Sequence, residues 1–174
     1  MSGQRASIPS LTGIRGFAAL WVLLFHVQML APDFGLPLLG ELQLLRNGWV
    51  GVDVFFVLSG FVLFHVHAAG FESITARGLA QFAWLRVFRI YPLATLVLML
   101  IVLLVALDPG FAAWYPPGNL TPAAFLKTLL LATRWIPPFH GDWNQPVWSL
   151  SVEIVGYCAF PWLAFALIRA RRGW

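Results

Sequence analysis

Six charged or ionisable side chains lie in or beside long apolar stretches of this 174-residue chain. They are Arg15, His26, Asp53, the neighbouring pair Arg86 and Arg89, and Glu153. A charge at the bilayer centre costs about 2.5–3.5 kcal/mol on insertion scales, so such residues usually face protein or water and often mark function. These six residues are therefore the first candidates for chemistry.

Arg15 and His26 are predicted to share one face of the first apolar helix. They are eleven residues apart, which in an α-helix means about 20° in direction and about 16 Å in height. His26 would then face any cavity that the helices enclose, where an imidazole can act as a general base. The alternative is that Arg15 is a charged anchor at the membrane border and His26 an interfacial histidine.

Asp53 lies near the start of the second apolar stretch, on one helical stripe with Val57, Gly60 and Phe64. A small residue such as Gly60 allows another helix to approach closely, so the stripe is expected to point inward. If Asp53 meets His26, its carboxylate could fix the imidazole tautomer and stabilise the protonated form. The alternative is an aspartate that only caps its helix.

Arg86 and Arg89 are three residues apart and are neighbours on a helix face. Two adjacent guanidinium groups suit a phosphate or pyrophosphate, although lipid headgroups or membrane orientation explain such a pair equally well. Glu153 needs a partner or water within its apolar stretch. A structural ion pair with a basic residue is the alternative to catalysis there.

The composition favours a bilayer as the solvent of these helices. Hydrophobic residues make up 60% of the chain and charged residues 10%, against roughly 45–50% and about 25% in soluble domains. The single cysteine excludes a disulfide scaffold. The net charge of +4 comes from scattered cations and not from a basic patch, so nucleic acid is not an expected partner.

Four stretches are long enough to span a membrane, which needs about 20 mostly apolar residues. They cover residues 16–32, 54–71, 90–107 and 143–168. Residues 121–135 carry Lys127 and Arg134 and are predicted to form a short interfacial or re-entrant helix. The expected fold is an all-α polytopic membrane bundle with four spanning helices and this short one.

The arrangement of cations predicts that both ends are cytoplasmic, because loops on that side hold the excess Lys and Arg. The predicted inside segments contain eight arginines: Arg5, Arg15, Arg77, Arg86, Arg89, Arg169, Arg171 and Arg172. A fifth span would move the last three to the outside. The sequence has no glycine-rich phosphate loop, zinc-spaced Cys/His set or nucleophile elbow, which excludes those soluble enzyme classes.

Four segments together resemble the acyltransferase-3 family of polytopic membrane acyltransferases. They are SLTGIRGFAALWVLLFHV, GWVGVDVFFVLSGFVL, FAWLRVFRIYPL and PVWSLSVEIVGYCAFPWL. They occur in the family's order, at family-like spacing, and cover roughly residues 8–168. The third contains the paired arginines, and the fourth surrounds Glu153.

The resemblance implies transfer of an acyl group, commonly acetyl from acetyl-CoA, to a hydroxyl of a surface glycan or lipid-linked sugar. Arg86 and Arg89 would bind the phosphates of the acyl-CoA, with Arg15 assisting there. His26 would be the catalytic base or a transient acyl carrier, and we favour the base. Asp53 and Glu153 would support the outer cavity, no metal would be required, and the location would be the inner membrane.

The family domain has about ten spans, whereas four are predicted here. We therefore expect residues 1–174 to be the N-terminal portion of one such domain, truncated or completed by a separate C-terminal half. Two other interpretations stay open. One is a proton-coupled transport component that uses His26, Asp53 and Glu153, and the other is an inactive fragment.

Overall fold

The computed structural model of the protein describes residues 9–30, 41–139 and 142–172. Within these ranges all regular secondary structure is helical, as predicted. Arg5 and residues 31–32, used above for orientation and for the first span, lie outside the described residues. The chain divides into two compact units, residues 1–69 and residues 70–174.

Seven α-helices and one 3₁₀-helix occur in the described residues. They are α1 (Pro9–Leu30), α2 (Gln43–Arg46), α3 (Val50–His67), the 3₁₀-helix (Ala68–Phe71), α4 (Ala76–Leu107), α5 (Pro109–Ala112), α6 (Pro122–Leu129) and α7 (Val147–Arg172).

Four of these segments are long and apolar enough to cross a membrane, which confirms the four predicted spans. They are Ser10–Met29, Val50–Phe71, Ala76–Leu107 and Val147–Arg172. Only 6% to 28% of the residues in their apolar windows are buried. Water does not tolerate so much contiguous apolar surface, whereas lipid does, so the helices fit a membrane protein.

In the first unit, α1 and α3 pack closely because two glycines remove side-chain bulk. A Cβ atom at Gly51 would lie 2.7 Å from Val22 Cγ2 and 2.9 Å from the Ala18 carbonyl oxygen. A Cβ atom at Gly48 would meet the Trp21 carbonyl oxygen at 2.6 Å. The close approach thus occurs at these two glycines. At Gly60 an added Cβ atom would meet no atom of another element within 4 Å.

We expect Gly51→Ala to destabilise the first unit by about 1–3 kcal/mol, because the added methyl group overpacks the contact with α1. Thermal unfolding in detergent micelles measures the effect. Gly60→Ala is the matched control in the same helix and should be neutral or stabilising by up to about 1 kcal/mol, from helix propensity alone. Equal midpoints for the two variants would contradict the close contact.

The second unit is held together by aromatic rings from α4 and α7. The Phe82 ring stacks on Phe160 with 5.3 Å between centroids, and Phe71 meets both edge-on at 5.4 and 5.8 Å. Phe82 pairs with Phe160, whereas Arg86, one turn later in α4, lies over Tyr157, one turn earlier in α7. The two helices are therefore antiparallel.

A short helix is confirmed within the predicted segment, but it covers only Pro122–Leu129 of residues 121–135. The Thr121 hydroxyl accepts a hydrogen bond from Ala124 N at 3.2 Å, and Pro122 occupies the first turn, where its missing N–H has no cost. The helix α6 ends at Leu129, and Leu131 adopts a φ of 53°. Eight residues rise about 12 Å, far less than the roughly 30 Å of a bilayer core.

Candidate active site

In the second unit Arg86 and Glu153 both contact Tyr157. The Tyr157 hydroxyl donates a 2.6 Å hydrogen bond to Glu153 Oε1. The Arg86 guanidinium carbon lies 5.7 Å from the centroid of the Tyr157 ring and 5.5 Å from that of Phe82, within cation–π range. Arg86, Tyr157 and Glu153 form the arginine–tyrosine–glutamate cluster.

The cluster lies along the length of the two long helices and not at their ends. Tyr157 is ten residues from the first residue of α7 and fifteen from the last, or about 15 and 22 Å. The arrangement of cations predicts Arg86 at the inner border, and the family resemblance implies an outer cavity for Glu153. The structure instead connects these two side chains through one tyrosine.

Arg89 lies one turn after Arg86 and is exposed. Residues three apart on a helix are neighbours, so the Arg89 side chain projects from α4 next to that of Arg86. Arg86 is held against aromatic rings, whereas Arg89 is accessible to a ligand. A pair with one anchored and one accessible guanidinium can hold a phosphate group.

Tyr157 is the one member of this cluster that is not among the candidate site residues predicted from the sequence. The signal was present in its spacing, because residues four apart on a helix contact each other and Tyr157 follows Glu153 by four. Its hydroxyl supplies a donor to a carboxylate in an apolar helix. That contact reduces the cost of burying Glu153.

We expect Tyr157→Phe to lower the free energy of unfolding by about 1.5–3 kcal/mol, the usual contribution of a hydrogen bond to a charged group. Denaturant titration in micelles measures it. The control is Tyr91→Phe, since the Tyr91 hydroxyl makes only a long 3.4 Å contact with the Leu130 carbonyl oxygen. A larger loss in Tyr91→Phe than in Tyr157→Phe would contradict this assignment.

In the first unit, His26 is exposed, and its ring contacts the backbone of its own helix. Its Nδ1 atom lies 2.7 Å from the carbonyl oxygen of Val22, one turn earlier in α1. A carbonyl only accepts, so Nδ1 must carry the proton in this contact. In the neutral ring Nε2 then carries the lone pair, which is the state that a general base requires.

Asp53 does not supply this tautomer control. It is exposed in the first turn of α3, and among the described residues no hydrogen bond or ion pair joins it to His26. Its charge is favourable next to the helix N-terminus. Arg15 is half-buried on the continuous helix α1, so the geometry that places it on the His26 face holds.

The residues from α6 to the start of α7 include Lys127 and Arg134, which the sequence marked only as charges that interrupt an apolar run. Lys127 donates a 2.8 Å hydrogen bond to the Pro138 carbonyl oxygen, and Arg134 donates to that of Phe139. Arg134 also lies 3.8 Å from the Asp142 carboxylate. The Arg134 backbone N–H and the Trp135 indole bond to the hydroxyl and carbonyl oxygens of Ser151, which is fully buried.

Two further contacts connect this segment to its surroundings. The indole nitrogen of Trp143 donates to the Thr121 carbonyl oxygen at 3.0 Å, and the Tyr115 hydroxyl donates to that of Trp143 at 3.1 Å. Burial raises the pKa of Tyr115, so its hydroxyl stays a donor to a higher pH than that of an exposed tyrosine. These hydrogen bonds tie the described residues between α6 and α7, 130–139 and 142–146, to the two helices. Among the described residues no three His, Cys, Asp or Glu side chains cluster as metal ligands.

The family described as an acyltransferase domain, acyltransferase 3, matches residues 8–174. The chain belongs to the acyltransferase-3 family. No solved structure gives a significant match.

Named acyltransferases are among the similar proteins. "Acyltransferase MdmB" of Streptomyces mycarofaciens is 35% identical over 96% of this chain and 42% of its own length. "Peptidoglycan O-acetyltransferase OatA" of Listeria monocytogenes is 26% identical over 95% of this chain and 25% of its own. "O-acetyltransferase OatA" of Staphylococcus aureus is 24% identical over 88% and 24%. The chain thus spans between a quarter and about two fifths of these relatives.

Proposed function

We propose that this chain is the N-terminal part of a membrane O-acyltransferase that moves an acyl group, commonly acetyl, from acyl-CoA to a hydroxyl of a surface glycan or lipid-linked sugar. The family match and the named O-acetyltransferases support the reaction class. The observation that carries the chemistry is the contact between His26 Nδ1 and the Val22 carbonyl oxygen, which leaves Nε2 as a base.

In the proposed step, His26 Nε2 takes the proton of the acceptor hydroxyl as its oxygen attacks the thioester carbonyl carbon. The carbon–sulfur bond breaks, and the CoA thiolate leaves and takes the proton back from the imidazolium. The thioester supplies the driving force, so the protein aligns the reactants and moves one proton. A transient acyl-imidazole is the other route that a histidine allows.

The arginines are proposed to hold the donor. Arg86 and Arg89 bind the phosphate groups of acyl-CoA, and Arg15 adds positive charge for the same ligand. Asp53 and Glu153 are support residues, with Glu153 acting through Tyr157 on the Arg86 guanidinium. No metal takes part in the proposed step. If the chain alone is inactive, the partner that we propose is a separate polypeptide with the C-terminal half of the domain.

A proton-coupled transport component is the competing proposal, and the position of Glu153 inside a membrane helix favours it. Sealed vesicles that contain the protein distinguish the two. An acyltransferase forms ester only when acyl-CoA is supplied and consumes it. Gradient-driven solute flux with no consumption of acyl-CoA would replace our proposal by the transport one.

The proposed location is the inner membrane, with both ends in the cytoplasm. In a Cys158→Ser background, a cysteine at Pro138 should react with an impermeant thiol reagent from outside, and one at Ala170 only from inside. The reason is the excess of arginines at the end of α7. Labelling of both positions from the same side would contradict four spans.

A further inference from the structure

A cavity of about 370 Å³ lies beside α6 in the second unit. That volume is within the range of about 300–1,000 Å³ typical of small-molecule sites. Most of its lining is apolar, including Leu126, Leu130 and Ile136, and Lys127 is the one ionisable residue among the lining residues. A single cation in an apolar wall suits a ligand that has an anionic group and an apolar body.

Lys127 is 8% exposed, and burying a cation costs free energy unless an opposite charge or hydrogen bonds compensate. Its partner among the described residues is one neutral carbonyl oxygen, that of Pro138. An ammonium group has three donors. Arg134, the other cation of this segment, has the Asp142 carboxylate nearby, whereas no carboxylate lies within salt-bridge distance of Lys127 in the described part of the chain.

The cavity belongs to the segment that connects the last residue of α4 to the first of α7. Both helices are membrane-spanning by length and composition, so the segment that joins their ends lies at a membrane surface. Three of the lining side chains are half-exposed: Leu126 at 53%, Leu130 at 52% and Ile136 at 49%. Trp114 and Trp135, which are close in sequence to the lining residues Pro117 and Ile136, are exposed, and tryptophans are enriched at membrane interfaces.

We propose that this cavity binds the headgroup of an anionic phospholipid. The phosphate oxygens take the remaining donors of Lys127, and the apolar part of the lipid lies along Leu126, Leu130 and Ile136. A lysine ammonium binds phosphate as a point charge. The apolar lining favours a lipid over free phosphate, which shares the same anionic chemistry. None of the proposed acyl-transfer residues lines the cavity.

The test is lipid binding to the purified chain in a non-ionic detergent, measured by native mass spectrometry. The probes are phosphatidylglycerol, phosphatidylcholine with the same acyl chains, and inorganic phosphate. We expect the wild type to prefer phosphatidylglycerol about tenfold, because phosphatidylcholine carries the same phosphate but its choline cation cancels the net negative charge that attracts Lys127. Lys127→Gln should remove that preference, and Arg77→Gln, which changes an exposed arginine of α4, should keep it.

A second variant keeps the result decisive if Lys127→Gln fails to fold. Ala123 lines the cavity, and Ala123→Phe fills it without removing the Lys127 ammonium. Binding of both lipids should fall in this variant and persist in Ala80→Phe, a control at an exposed site on α4. Equal binding of the two lipids by the wild type would overturn the proposal. So would full displacement of lipid by millimolar phosphate, or undiminished lipid binding by Ala123→Phe.

Discussion

Replacing His26 by alanine should lower the rate of acyl transfer by about 10²–10⁴-fold, the usual contribution of a general base. The physical reason is the lone pair on Nε2, which the contact between Nδ1 and the Val22 carbonyl oxygen maintains. The measurement is the initial rate of acyl-CoA-dependent ester formation in membranes that contain the active protein. His26 is exposed, so the loss should come without loss of membrane insertion.

His65→Ala is the matched control. His65 is also an exposed membrane-helix histidine, in α3, and its ring stacks on Phe61 with 6.2 Å between centroids. We expect the rate of acyl transfer by His65→Ala to stay within about threefold of the wild-type rate, as for a residue that takes no part in the reaction. Equal losses in the two variants would indicate a general effect of removing imidazoles and would contradict the assigned role of His26.

The second large effect is expected at the paired arginines. Arg89→Ala should raise the KM for acyl-CoA about 10–100-fold, because one charge-assisted contact to phosphate is lost. Arg89 is exposed, so the stability of the protein should not change. Initial rates against acyl-CoA concentration, together with thermal unfolding in micelles, separate these two quantities.

Arg86→Ala should produce a similar rise in KM and also lower stability by about 0.5–2 kcal/mol, since its guanidinium lies over two aromatic rings. Arg86→Lys keeps the charge but loses the planar group that stacks, so it should not restore stability. Arg77→Ala, at an exposed site in the first turn of α4, is the control and should leave KM unchanged. An unchanged KM in both Arg86→Ala and Arg89→Ala would exclude them from donor binding.

The membrane fold could be predicted from the sequence because charge-free length is a direct physical requirement of a span. The same reasoning identified the short helix, since Lys127 and Arg134 interrupt its apolar run. It did not identify which glycine makes a close helix contact. Helices that are apolar on every face have no polar side to mark the opposite one as buried, so Gly60 and Gly51 could not be distinguished.

The candidate site was predictable only within single helices. The spacing of Arg15 and His26 follows from α1 alone. Contact of Arg86 with Tyr157 depends on how far α4 is shifted along α7, and these residues are 71 positions apart. The pattern of residues within either helix carries no information about that shift. Likewise, the proposed partner of His26 was a distant carboxylate, whereas the structure supplies a carbonyl oxygen four residues away.

The most direct test of the central claim counts two products in one membrane preparation, the free CoA thiol and the new ester. If the protein is an acyltransferase in which His26 moves the proton, each thiol released is matched by one ester, and His26→Ala reduces both together. Ester formation at the wild-type rate in His26→Ala, or solute movement with no thiol released, would contradict the account.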